Sequence, residues 1–160
     1  MNSIIIVDTY ILFDNNDDTT KRKEEDRLIQ DYDTILREAA LLTTFAGILF
    51  GFLLEISINT PDDFASGDKI ILLLSLFSIT IAASLFVMPV IYHHLQYPYK
   101  DLDKFKIRSH RFIVFGLIPA GITLFLGLEL VLSSILDRFP AFILAAVPFV
   151  LVYILFRMRK

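Results

Sequence analysis

Cysteine is absent from the 160 residues. That excludes disulfides, thiolate nucleophiles, iron–sulfur clusters and cysteine-based zinc sites together. Tryptophan is absent too, so an aromatic belt at a membrane boundary must be built from Tyr and Phe. There is no Gly-rich phosphate loop, no nucleophile elbow and no Ser-His-Asp constellation, and the polar segments are too short to make an enzyme domain. The expectation is a non-catalytic chain without a cofactor. The opening MNSIIIVDTYILF has no basic start, Asp8 interrupts its apolar run, and no small-residue cleavage site follows. It reads as an extended or interfacial segment rather than a secretory signal.

What is present is apolar. Hydrophobic residues make up 55% of the chain and the mean hydropathy is +0.62, against about 45–50% apolar residues in an ordinary soluble domain. The excess is concentrated in four blocks of Ile, Leu, Phe, Val and Ala. About 20 apolar helical residues cross a hydrocarbon core of about 30 Å. The expected fold is therefore all-α: a polytopic membrane protein with four transmembrane helices, at about 39–58, 69–92, 111–135 and 139–156. Residues 1–38 form a cytoplasmic segment, and 39–160 the transmembrane domain.

Within that segment DNNDDTTKRK, at 14–23, is polar and without periodicity, and is expected to be a linker or exposed turn. From 24 to 38 a helical pattern follows. Leu28, Ile29, Tyr32, Ile35, Leu36 and Ala39 recur at helical steps, with Asp26, Arg27, Asp31, Asp33 and Arg37 elsewhere on the wheel. This is an amphipathic helix, lying either on the membrane surface or against the protein's own cytoplasmic loops.

Orientation follows from the cations. Five precede the first span (Lys21, Arg22, Lys23, Arg27, Arg37), five separate the second and third (Lys100, Lys104, Lys106, Arg108, Arg111), and three end the chain (Arg157, Arg159, Lys160). The other two connections hold only Lys69 and Arg138. Cytoplasmic loops retain Lys and Arg, so both termini are expected inside, in the cell membrane. The central cations are topology determinants beside anionic lipid rather than a nucleic-acid surface.

Helices in lipid associate through close packing rather than hydrophobic drive. Ala39, Thr43, Gly47 and Gly51 sit four apart in the first span, and include a GxxxG motif. This ridge is the expected packing surface, and it continues to Glu55, which is expected to face a neighbouring helix. Gly116 with Ala120, and Ala141 with Ala145, make shorter versions. Pro89, Pro119 and Pro148 are each expected to kink a helix.

Ionisable groups inside a membrane are the default functional candidates. Glu55 and Glu129 lie toward the outer ends of the first and third spans, close to Asp62, Asp63, Asp68 and Asp137. They form either a cation or proton entry site or a pair of interfacial acids, snorkelling or bonded to Ser133, Arg138 or Lys69. His93 and His94 end the second span and His110 begins the third, on the cytoplasmic side. Adjacent helical residues point about 100° apart, from 3.6 residues per turn, so His93 and His94 do not readily chelate one ion, and no metal is expected. A proton-accepting role for His93 fits better, because histidine titrates near neutral pH. Only Thr43, Thr44, Ser75, Ser78, Thr80, Ser84 and Thr123 are polar between the two levels, which leaves no charged relay.

The runs ILFGFLL, MPVIYHHL and SHRFIVFGL resemble a prokaryotic family of small four-span membrane proteins, often labelled sodium/proton antiporter-like. The resemblance covers residues 36–154, and its most specific part is Pro89, Tyr92 and His93, with Arg111 and Gly116 downstream. The residue after that histidine is usually basic in the family, where this chain has His94. The family's first helix tends to carry a glutamine before the Leu-Phe-x-Phe run, where this chain has Gly47. That departure removes the polar group most easily cast as an ion ligand. The resemblance implies the four-span fold and topology, with ion transport as the family label. Two functional expectations follow. One is an accessory or structural subunit that docks on other membrane subunits or on copies of itself. The other is an ion- or proton-coupled transporter or channel component using Glu55, Glu129 and His93.

Overall fold

The computed structural model describes the backbone of residues 3–62, 64–96 and 102–159, and the side chains of all of these except 3–21, 24, 25, 96 and 102. Asp63, Tyr97, Tyr99, Lys100 and Asp101 lie outside the described residues. The chain folds into four helices, α1 (Ser3–Ile58), α2 (Ser66–Gln96), α3 (Leu102–Ser133) and α4 (Arg138–Met158). All four contain stretches long and apolar enough to cross a membrane. This is an all-helical, multi-pass membrane protein.

α1 departs from expectation at its start. The helix runs unbroken from Ser3, through the apolar opening and through the expected linker at 14–23, into the first span. The linker contains neither Gly nor Pro, and its weak helix formers each cost only about 0.7 kcal/mol or less relative to Ala. Asp17 precedes Lys21, and Asp18 precedes Arg22, by four positions, the acid-before-base spacing that supports a helix. At about 1.5 Å per residue the 56 residues of α1 extend well beyond one bilayer crossing. The amphipathic stretch is thus continuous with the span in a single helix. α3 starts at Leu102, ahead of the span expected from about 111.

The face α1 turns inward is Ile35, Ala39, Leu42, Ala46, Leu49, Leu53 and Ile56, all buried or half-buried. Their spacing alternates four and three, the average of about 3.5 that keeps one seam against a neighbour. A strict step of four drifts around the helix instead. The expected ridge therefore enters the interface only at Ala39 and, half-buried, at Thr43. Gly47 and Gly51 are exposed, with nothing within 4 Å of a Cβ built on either. Glu55 is exposed as well. The small residue that admits α2 is Ala46, fully buried in the main core with Leu72, Ile79, Ala82 and Phe86 of α2 and Ala120 and Leu130 of α3.

α2 and α3 make the most extensive contact. Gly116 lets their backbones approach, because a Cβ there would stand 2.6 Å from Cε1 of the Phe86 ring and 3.3 Å from Cβ of Leu85. Beside this contact the Ser78 hydroxyl donates to the Pro119 carbonyl at 2.9 Å, and the Thr123 hydroxyl reaches the Pro119 and Ser75 carbonyls at 3.0 and 3.3 Å. Interhelical hydrogen bonds in lipid contribute about 0.6 kcal/mol each on average, so these position the helices more than they hold them. Pro89, Pro119 and Pro148 all lie inside helices that continue past them.

α4 is an appendage. Among the described residues its backbone runs close to α3 alone, and Arg138 at its first position reaches Asp68 of α2. Ala141 and Ala145 are its buried residues, while Phe125 of α3 meets Phe142 and Phe149 edge-on, with ring centroids 5.3 and 5.8 Å apart. The molecule is therefore a three-helix packed unit, α1–α2–α3, carrying a fourth helix on one flank.

Candidate functional site

Glu129 is the only ionisable side chain among the buried described residues. It stands one turn from the end of α3, and residues 134–137 then reverse the chain, closed by a hydrogen bond from the Leu136 amide to the Leu132 carbonyl at 2.8 Å. That reversal delivers Arg138, the first residue of α4, back beside Glu129. A cation in the first turn of a helix opposes the helix dipole, so Arg138 requires another partner. It has two. Its Nη2 donates to Asp68 Oδ1, and its Nε lies 3.8 Å from Glu129 Oε1. Asp68 is itself well placed in the first turn of α2, where its other oxygen accepts from the Ala65 amide at 3.0 Å.

One guanidinium thus serves two carboxylates, and serves them unequally. Asp68 is satisfied at both oxygens. Glu129 has an ion pair longer than a hydrogen bond at Oε1, and its Oε2 is buried without a partner. Side-chain exposure runs from 5% for Glu129 through 19% for Asp68 to 56% for Arg138, so the acid least reached by water is also the least well bonded. Gly67 provides room for the arginine, since a Cβ there would sit 2.7 Å from Nη1.

Two cavities flank this cluster. One of about 630 Å³ is walled by Ile71, Phe125, Leu126, Phe139 and Phe142, with Glu129 and Arg138 also lining it. A smaller one, about 160 Å³, lies against Asp68, Phe64, Leu130, Ser133 and Ser134. A third hollow, of about 610 Å³, is formed by α4 residues alone and contains no ionisable group. It is the outward surface of a membrane helix rather than a site.

Glu55 does not join Glu129. It bonds Asn59 Nδ2 at 2.6 Å on its own helix and points outward, contrary to the expectation that it faces a neighbour. Of the partners proposed for Glu129 in the sequence, Arg138 is present and Lys69 is exposed elsewhere.

At the opposite end of the molecule His93 is hydrogen-bonded through Nδ1 to the Tyr32 hydroxyl. Tyr32 lies on the extension of α1, and its ring also meets Phe105 of α3 at 4.9 Å. Phe105 stacks on Tyr92 at 5.7 Å, and Arg108 donates to the Tyr92 hydroxyl at 2.8 Å. Lys106 and Asp31 add an ion pair between α3 and α1. His94 contacts the His93 ring, with centroids 5.0 Å apart, while His110 is exposed on α3. The cluster clamps three helices together. Sequence reasoning missed Tyr32 as the partner of His93, although its place in the 28–32–35–39 stripe already put it on the inward face. No group of three His, Asp or Glu side chains among the described residues converges as metal ligands.

No curated protein and no solved structure matches the chain. Residues 20–159, which span all of α2, α3 and α4 and both clusters, match the family of unknown function DUF6328, and the chain belongs to that family.

Proposed function

We propose that the chain is a non-catalytic subunit of a larger membrane assembly, with both termini cytoplasmic in the cell membrane. One observation carries this reading: the α1–α2–α3 unit is packed through its centre by Ala46, Ile79, Ala82, Phe86 and Ala120, with Phe86 lying on the backbone of Gly116. Ion pathways need a charged or strongly polar group near mid-membrane. Here the polar groups of the centre, Ser75, Ser78 and Thr123, are engaged with backbone carbonyls. The partner is either another membrane subunit or a second copy of the chain. Mild solubilisation of the native membrane tests this. The reading expects co-migration with other subunits at fixed stoichiometry, or a discrete homo-oligomer. A solitary monomer that retains the cell's function when reconstituted alone contradicts it.

A second reading, an ion- or proton-coupled transporter component, is favoured by one feature, the unpartnered Oε2 of Glu129. Its test is flux in liposomes that disappears with Glu129→Gln.

A further inference from the structure

The cavity beside Glu129 has the chemistry of a ligand site that neither reading requires. About 630 Å³ falls within the roughly 300–1,000 Å³ of small-molecule pockets. Three Phe rings, with Ile71 and Leu126, make its wall, and Phe139 and Phe142 are exposed, so it opens sideways at the end of the helices. Its polar lining consists of Glu129 and Arg138. Arg138 is committed to Asp68, which leaves the three-residue cluster one negative charge in excess when both acids are ionised. The shortfall is concentrated on Glu129, whose Oε2 is buried and bonded to nothing. An unpaired buried carboxylate oxygen is costly, and a positive charge held in the cavity beside Glu129 offsets part of that cost. Aromatic faces add to the attraction for a cation.

We infer that the cavity lined by Phe125, Phe139, Phe142 and Glu129 binds one amphiphilic cation, with its positive nitrogen or phosphonium at the Glu129 carboxylate and its apolar body against the three rings. Two sources carry this chemistry: the ammonium head of a membrane lipid, with one chain in the cavity, and a soluble lipophilic cation. An anionic or neutral amphiphile of the same length leaves Glu129 unpaired and binds more weakly.

The test uses the full chain in dodecyl maltoside with radiolabelled tetraphenylphosphonium as the probe. Saturable binding at one probe per chain is expected, displaced by dodecyltrimethylammonium at a concentration at least tenfold lower than by dodecanol. Glu129→Gln reduces probe affinity at least tenfold, whereas Glu55→Gln, altering an exposed acid bonded within its own helix, leaves it unchanged. Should Glu129→Gln fail to fold, Leu126→Trp fills the cavity while keeping every charge, and it too must abolish binding. Competition with lysophosphatidylethanolamine separates the sources. Displacement that depends on Glu129 assigns the site to an amine-headed lipid, and its absence, with probe binding intact, assigns it to soluble lipophilic cations. Probe binding that survives both substitutions, or equal displacement by the alcohol and the ammonium, overturns the inference.

Discussion

Gly116 of α3 and Phe86 of α2 are in such close contact that even a methyl group at position 116 would overlap the phenylalanine ring, 2.6 Å from Cε1. Phe86 is fully buried, so the ring has nowhere to retreat without moving its own helix. Gly116→Ala should destabilise the protein by about 1–3 kcal/mol, the usual cost of overpacking. Thermal unfolding in detergent measures it. Adding Phe86→Leu, which removes the clashing ring edge, should recover part of the loss.

Gly47 and Gly51 present the opposite case. Both face open space on α1, so Gly47→Ala and Gly51→Ala should leave the isolated chain as stable or raise its stability by about 0.5–1 kcal/mol through helix propensity. The same unfolding measurement checks this. A loss of stability in the isolated chain would show that the glycines pack within one molecule after all.

Arg138→Gln removes the cation shared by Asp68 and Glu129. Breaking a well-buried pair costs about 3–5 kcal/mol, but the arginine is 56% exposed, and exposed pairs are worth much less. A loss of about 1–3 kcal/mol is expected, most of it from the stranded Glu129. Glu129→Gln in the same chain should recover much of it, and the non-additivity of the double-mutant cycle is the readout.

The hydrogen bond between Tyr32 and His93 fastens the extension of α1 to α2. Tyr32→Phe should cost about 0.5–1.5 kcal/mol and keep the ring contact with Phe105. Its signature is local: faster amide hydrogen exchange across residues 26–38, with exchange in the core of α2 and α3 unchanged.

The four spans were readable because continuous apolar length is a signal that needs no partner. The inward faces were not. On α1 a ridge of small residues four apart drew attention to Gly47 and Gly51, whereas the packed seam follows the alternating three-and-four spacing through Ala46 and Leu53. Small size alone does not say which way a residue points. The continuity of α1 was hidden by a polar tract that lacks apolar periodicity yet also lacks any helix breaker. At the candidate site, Glu129 stood out as an acid inside an apolar span, and Arg138 was among its expected partners. The unequal sharing of Arg138 between Asp68 and Glu129 depends on how the 134–137 turn folds back toward the first turn of α2, a tertiary fact with no local sequence signature. The pairing of Tyr32 with His93 crosses 61 positions and is of the same kind.

The central claim is that the packed three-helix unit is a membrane scaffold rather than a conduit, and ion flux through the purified chain tests it most directly. Reconstituted alone into liposomes carrying a pH-sensitive or sodium-sensitive dye, with an imposed gradient, the protein is predicted to give the same rate as protein-free liposomes. A saturable proton or sodium flux that vanishes with Glu129→Gln would contradict it.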